Sequence, residues 1–271
     1  MAAAPVPALF SPSGEGFAAA SMTRGPWDAV MMHGSAPSAL LAHAIEQVLP
    51  GDELAVARLT IEFLGGVPVG DVSVQTSLAK PGKRFQIVDA TLQAGERVAC
   101  MARAVRLRQA DMPGAQVSAD GVQPLAPPAE GDPLAQWDID AGDELFYPRA
   151  TEIRHVGGKL GSGHAAAWIR LRGELLPGVT PSPLVRAVVA ADFANGLSWI
   201  LPIDAWLFVN TELTVHLHRE PAGEWIGLDA RTAIGPNGIG LSTGVLHDLD
   251  GPFGVCAESL FVERRQAAGQ S

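Results

Sequence analysis

Apolar residues recur at helical spacing in two stretches of the chain and at strand-like spacing in eight others. The first helical stretch covers 36–49, where Leu40, Leu41, Ala44, Ile45 and Val48 share a side and Pro50-Gly51 closes the run. The second covers 183–200, with Leu184, Val188, Ala191 and Leu197 in phase. Thr180-Pro181-Ser182 stands ahead of it as a capping stretch. After the first helix come apolar or alternating runs at 54–64, 70–80, 84–95 and 97–108, each ended by Gly, Pro, Asn or Asp. After the second come 209–219, 224–234, 239–248 and 253–263. Each half therefore reads as one long helix followed by an antiparallel meander.

The halves also resemble each other in detail. Arg58-Leu59-Thr60-Ile61-Glu62-Phe63 matches Glu212-Leu213-Thr214-Val215-His216-Leu217 at an offset of 154. Pro81-Gly82 falls on Pro236-Asn237, and Arg103 falls on Glu258, at an offset of 155. Between the halves, 109–148 is rich in Pro, Gly, Ala and Asp without a sustained period, which reads as a linker. The expected organisation is a unit at 1–108, the linker at 109–148 and a second unit at 149–271. A helix that is apolar on most of its surface needs enclosure, and two meanders joined edge to edge can supply it. The expected fold is α+β: two long central helices wrapped by one continuous curved antiparallel sheet.

Composition refines this picture. The chain has 271 residues, of which 47% are hydrophobic and 18% charged, as in a globular protein. Its net charge of -10 is unevenly placed: 109–144 holds eight acids and no base, and the flanking halves are close to neutral. A protein built to grip a nucleic-acid backbone needs clustered Lys and Arg instead. The N-terminus lacks a basic start and a sustained apolar core, and no stretch is long and apolar enough to span a membrane. Two cysteines, Cys100 and Cys256, lie in apolar runs and read as buried free thiols. A cytoplasmic protein is expected.

Several stretches together resemble one family. Thr23-Arg24-Gly25-Pro26-Trp27-Asp28 and His33-Gly34 precede the first helix. Val67-Pro68-Val69-Gly70 and Lys80-Pro81-Gly82-Lys83-Arg84 lie between strands of the first half. Asn210-Thr211-Glu212-Leu213-Thr214-Val215-His216-Leu217-His218-Arg219 opens the second sheet, and Asp229-Ala230-Arg231-Thr232, Gly235-Pro236-Asn237-Gly238-Ile239-Gly240 and Ala257-Glu258-Ser259-Leu260 follow. In this order they resemble the acyl-CoA thioesterases of the double-hotdog type, similar to bacterial thioesterase II.

The resemblance implies a double hotdog, hydrolysis of acyl-CoA thioesters, no metal or organic cofactor, and a water held by an Asp-Thr-Gln set. Carried over by position, that set falls on Glu212, Thr232 and Glu258. Glu for Asp moves the carboxylate by one methylene, and Glu for Gln adds a second acid. Two close carboxylates raise one pKa, which lets one stay protonated and act as a donor. Strand alternation puts Glu212 on the face of Thr214, His216 and His218. His33 and Gly34, at the start of the first helix, are candidates for substrate positioning and the oxyanion site, and His33 equally for capping local backbone. Asp192, on the second helix, is a secondary candidate, resembling the helix-borne acid of single-hotdog thioesterases. Lys80, Lys83 and Arg84 form the densest basic cluster, suited to coenzyme A phosphates or to a solvated hairpin. The repeat offers an internal control. Half one has Arg58, Ser77 and Arg103 where half two has Glu212, Thr232 and Glu258, so at most one of two equivalent pockets should hydrolyse. The alternative reading is a hotdog that binds acyl-CoA with weak or no catalysis. Unpaired sheet faces suit a homo-oligomer.

Overall fold

A computed structural model describes residues 6–28, 30–49, 51, 53–114, 123–134 and 145–265. Half of the run at 109–144, with five of its eight acids, lies outside the described residues. The strands are β1 (Phe10–Ser13), β2 (Gly16–Ala19), β3 (Leu54–Phe63), β4 (Asp71–Lys80), β5 (Phe85–Ala94), β6 (Arg97–Arg108), β7 (Asp132–Pro133), β8 (Thr151–Lys159) and β9 (His164–Leu171). They continue as β10 (Trp206–Asn210), β11 (Glu212–Leu217), β12 (Trp225–Ile234), β13 (Ile239–Asp248) and β14 (Gly251–Arg264). All join one antiparallel sheet in the order β1-β2-β4-β5-β6-β3-β11-β14-β13-β12-β9-β8-β7, with β10 also on β14. The meander strands follow the hydrophobic pattern because each buries alternate residues, as in Gln86, Val88, Ala90 and Leu92 of β5.

The two halves meet at β3 and β11, where Thr60 pairs with Thr214 and their hydroxyls lie 3.2 Å apart. These two residues are also related by the sequence offset of 154, so they mark the axis of a pseudo-twofold. Helix α1 (Ser35–Glu46) and helix α3 (Pro183–Ala191) lie in the core between the halves, bridged by the Ser35 hydroxyl donating to the Val189 carbonyl at 3.0 Å. Ser182 caps α3 by accepting the Val185 N–H at 3.1 Å, as its position ahead of the apolar run suggests.

The helices are shorter than the periodicity predicts. The run 183–200 breaks into α3 and a short α4 (Ala194–Leu197). At the break the Asp192 N–H still reaches Val188, but the Phe193 N–H tightens onto Ala190, three residues back. The Asp192 side chain is taken up by other elements. An α2 turn (Phe146–Arg149) closes the segment read as linker, and Leu145, Phe146 and Tyr147 are all buried. Cys100 and Cys256 are free and buried, and burial pushes the Cys100 thiol up to about 12. No helix among the described residues is long and apolar enough to cross a membrane.

Candidate functional site

The register of β14 against its neighbours decides which side chains reach the core. Asn210 pairs with Leu260, and Thr214 pairs with Ala257, so the β10–β11 strand spends four steps where β14 spends three. The extra residue is a bulge at Thr211, and it reverses which face each side chain takes. Leu213 and Val215 point to the core on β11, whereas Phe208 and Asn210 do so on β10. Glu212 is consequently turned to the outer face. Its carboxylate accepts from the Thr214 hydroxyl at 2.9 Å and from the Ser259 N–H at 2.8 Å.

The core-facing acids are Asp192 and Glu258. Asp192 Oδ2 shares the single Ser35 hydroxyl proton with the Val189 carbonyl, each at 3.0 Å. It lies 2.9 Å from His33 Nδ1, which donates to it in the tautomer that carries the proton there and accepts the Ser35 N–H, 3.2 Å away, in the other. Asn210 Nδ2 donates to Asp192 Oδ1 at 3.0 Å and to Glu258 Oε1 at 3.2 Å, so one amide bridges two carboxyl groups. Glu258 is 0% exposed, and its Oε2 accepts the Asn195 N–H at 2.9 Å. Burial first, and then the Asp192 charge, push the Glu258 carboxyl well above the usual carboxylate range. That shift favours the neutral form of Glu258.

His33 stacks on Phe146, with centroids 5.1 Å apart, and packs at a tilt against Phe193 at 4.8 Å, the three rings forming one aromatic cluster. Gly34 serves close approach, since its φ of -55° suits any residue. A Cβ there would lie 2.6 Å from Asp192 Oδ1. Gly34→Ala should push the Asp192 carboxylate aside and cost about 1–3 kcal/mol of stability through overpacking. Thermal melts test this; an unchanged melting temperature would mean that the site absorbs the added methyl freely.

His33, Gly34, Asp192, Asn195 and Asn210 line a pocket of about 540 Å³, whose apolar wall includes Trp27, Met31, Met32, Phe63 and Phe261. Thr232 lies two strands from Glu258 and closes a hydroxyl cluster, 2.7 Å from Ser198 and 3.1 Å from Ser242. Thr232, Ser242 and Glu258 occupy one row across β12, β13 and β14. Lys80, Lys83 and Arg84 are elsewhere. Their hairpin meets the Leu107–Arg108 end of β6, whereas the pocket borders the turn after Phe63, beside Cys100. Lys80 packs its ammonium over the Phe85 ring at 4.4 Å. His216 and His218 are exposed.

The repeat supplies a sharper control than the sequence match. Arg103, set against Glu258 by sequence, is on the outer face in a bidentate pair with Asp89. In the register, Ala104 takes the Glu258 place, Val88 the Ser242 place, Leu78 the Thr232 place and Val56 the Asn210 place. The row is apolar in half one and polar in half two. A second pocket, of about 370 Å³, sits at the related position beside Val56 and Glu46, with Ser182 donating to Glu46 at 2.7 Å as Ser35 does to Asp192. It repeats the helix contact but lacks the amide and the buried acid.

Pattern reading missed Asn210, Ser35, Asn195 and Phe146. Asn210 had a visible signal, since the apolar positions change parity from Phe208 to Leu213 and Val215.

Residues 23–112 match the acyl-CoA thioesterase N-terminal domain, and residues 120–262 match the acyl-CoA thioesterase C-terminal domain. No match was found among curated proteins. Among solved structures, a candidate thioesterase II from Thermobifida fusca YX is similar at 16% identity, covering 94% of each chain with a TM-score of 0.70. A hot-dog-fold protein of unknown function from Alicyclobacillus acidocaldarius matches at 16% identity over 96% of each chain, TM-score 0.68. The acyl-CoA thioesterase II TesB2 of Mycobacterium marinum matches at 13% identity over 88% of this chain and 91% of its own, TM-score 0.62. These likenesses establish a shared hotdog fold.

Proposed function

Because the chain belongs to the acyl-CoA thioesterase family, carrying both its N-terminal and its C-terminal domain, we propose that it hydrolyses acyl-CoA thioesters in this pocket with a water activated by Asp192. The observation that carries the reading is the placement of Asp192. It is a carboxylate on the pocket wall, oriented by His33, Ser35 and Asn210, with a neutral Glu258 behind it. Asp192 takes a proton from the water as its oxygen attacks the thioester carbonyl carbon. The developing oxyanion meets the Gly34 N–H and the positive end of α1, since the Ser35 and Ala36 N–H groups are already bonded to His33. The carbon–sulfur bond then breaks, the proton passes from Asp192 to the departing sulfur, and the free acid and coenzyme A thiol leave. His33, Ser35 and Asn210 are positioning residues, and the Thr232–Ser198–Ser242 hydroxyls brace the wall beside Glu258. No metal or organic cofactor is needed for these steps.

An acyl-CoA chain-length series followed by free-thiol release tests the reading. Turnover with at least one chain length is expected; binding without release at every length would leave an acyl-CoA-binding protein instead. The apolar row of half one adds a stoichiometric expectation. A non-hydrolysable acyl-CoA thioether should titrate one site per chain by calorimetry, and two equal sites would contradict the assignment to half two alone.

A further inference from the structure

Two arginines border residues that line the reaction pocket, and among the described residues neither is paired with an acid. Arg97, the first residue of β6, donates from Nη2 to the Gly66 carbonyl at 2.6 Å, and a Cβ on Gly65 would stand 3.0 Å from its Nη1. Gly65 and Gly66 line the pocket, so this guanidinium rides on the pocket's own wall. Trp27 lines the same pocket, and the Arg265 guanidinium lies 5.9 Å from its ring, with Nε donating to the Ile203 and Trp206 carbonyls. Both arginines are exposed, and among the described residues neither has a carboxylate within ion-pair distance. The acid on this lip is Asp28, whose carboxylate accepts the Val30 N–H at 2.9 Å.

Backbone carbonyls fix the direction of a guanidinium without cancelling its charge, and each arginine keeps free donors in a planar fork that fits phosphate. Asp192 lies on the wall of the same pocket, so a substrate with its thioester there has its remaining length toward the mouth. The basic hairpin at Lys80, Lys83 and Arg84 is at the wrong end of the sheet for this.

We propose that Arg97 and Arg265 bind the phosphates of the coenzyme A portion of the substrate. The assignment rests on the thioesterase reading, and it makes the nucleotide end, rather than the acyl end, the part held by charge.

The test compares three thioesters of one acyl group: acyl-CoA, the acyl-4′-phosphopantetheine that keeps a single phosphate, and acyl-pantetheine, which has none. In Arg97→Gln/Arg265→Gln, KM for acyl-CoA should rise about tenfold with kcat held, and the salt dependence of KM should flatten. KM for acyl-pantetheine should move by less than about twofold, because no phosphate is there to lose. A shift confined to acyl-CoA points to the nucleotide phosphates; one shared with acyl-4′-phosphopantetheine points to the pantetheine phosphate, which a carrier protein also presents. Equal KM shifts on all three thioesters would overturn the proposal. So would a KM rise for acyl-CoA in Lys80→Gln/Lys83→Gln/Arg84→Gln with the arginine pair silent. If the wild-type protein cleaves none of them, the thioesterase reading fails, and calorimetry with coenzyme A itself decides. Binding by the wild type that is lost in the arginine variant keeps the phosphate site, and undiminished binding removes it.

Discussion

Asp192→Asn should lower kcat by about 10³-fold while leaving affinity for a non-hydrolysable acyl-CoA thioether within a few-fold. The amide is nearly isosteric but cannot take a proton from water. It also points an NH2 at a cage of donors, because His33 Nδ1, the Ser35 hydroxyl and the Asn210 amide all converge on this carboxylate. Some thermal stability should be lost with the activity, so the thioether titration is the control that separates an inactive site from an unfolded one. Removing the charge also removes the second-largest cause holding up the Glu258 carboxyl, which should then ionise at lower pH. Glu212→Gln is the contrasting variant. Glu212 faces outward, bonded to Thr214 and Ser259. If Glu212→Gln is the inactive protein and Asp192→Asn the active one, the base has been assigned to the wrong strand.

The other large effect concerns stability, and its sign follows from the direction of one ionisation. In the unfolded chain Glu258 ionises near 4.5; in the folded protein, burial and Asp192 defer this to much higher pH. Between those two points the folded state holds a proton that the unfolded state has released. Stability therefore falls as pH rises, by about 1.4 kcal/mol per unit for this group, and the loss is complete only above the raised folded value. Glu258→Gln keeps an acceptor oxygen for the Asn195 N–H, turns an NH2 toward the Asn210 amide and carries no proton to lose. Its melting temperature, offset from the wild type near pH 4.5 by that contact, should rise relative to the wild type progressively as the buffer becomes more alkaline. Comparing the two proteins across pH isolates this group from Glu46, which burial also raises. The same variant should keep hydrolytic activity, since the neutral form is the one assigned to Glu258. A constant offset between the two melting curves would mean that Glu258 is ionised in the folded protein throughout.

Much of the architecture was legible because it rests on periodicity. The alternation in β5 and in β12 fixes both strand and face, and the repeat offset of 154 relates Thr60 to Thr214, the residue with which it pairs in the sheet. The break in the second helix was not legible. Its Ala- and Val-rich run continues past Asp192 by propensity, and the interruption comes with contacts from His33, Ser35 and Asn210, which are remote in sequence. Similarly, the bulge at Thr211 has no glycine to announce it, and the change of apolar parity from Phe208 to Leu213 is blurred because Leu207 and Val209 are apolar as well. The linker reading failed to anticipate that Phe146 closes one side of His33, although Leu145-Phe146-Tyr147 stands out as an apolar cluster in an otherwise polar stretch. Basic residues are densest at Lys80–Arg84, whereas the pocket is bordered by single arginines at the start of β6 and just past the end of β14.

The bulge at Thr211 has a twin. In β3 the register against β6 also slips by one residue, between Val56 and Arg58, and Ala57 stands 154 positions before Thr211. The backbone thus presents an inward side chain at the same place in both halves, and only its chemistry differs: Val56 in one and Asn210 in the other. Direction belongs to the scaffold and reactivity to its occupants. In engineering language the protein holds a vacant socket, already wired for geometry, where the minimum graft is Val56→Asn with Ala104→Glu, opposite an acid that Ser182 already holds in place.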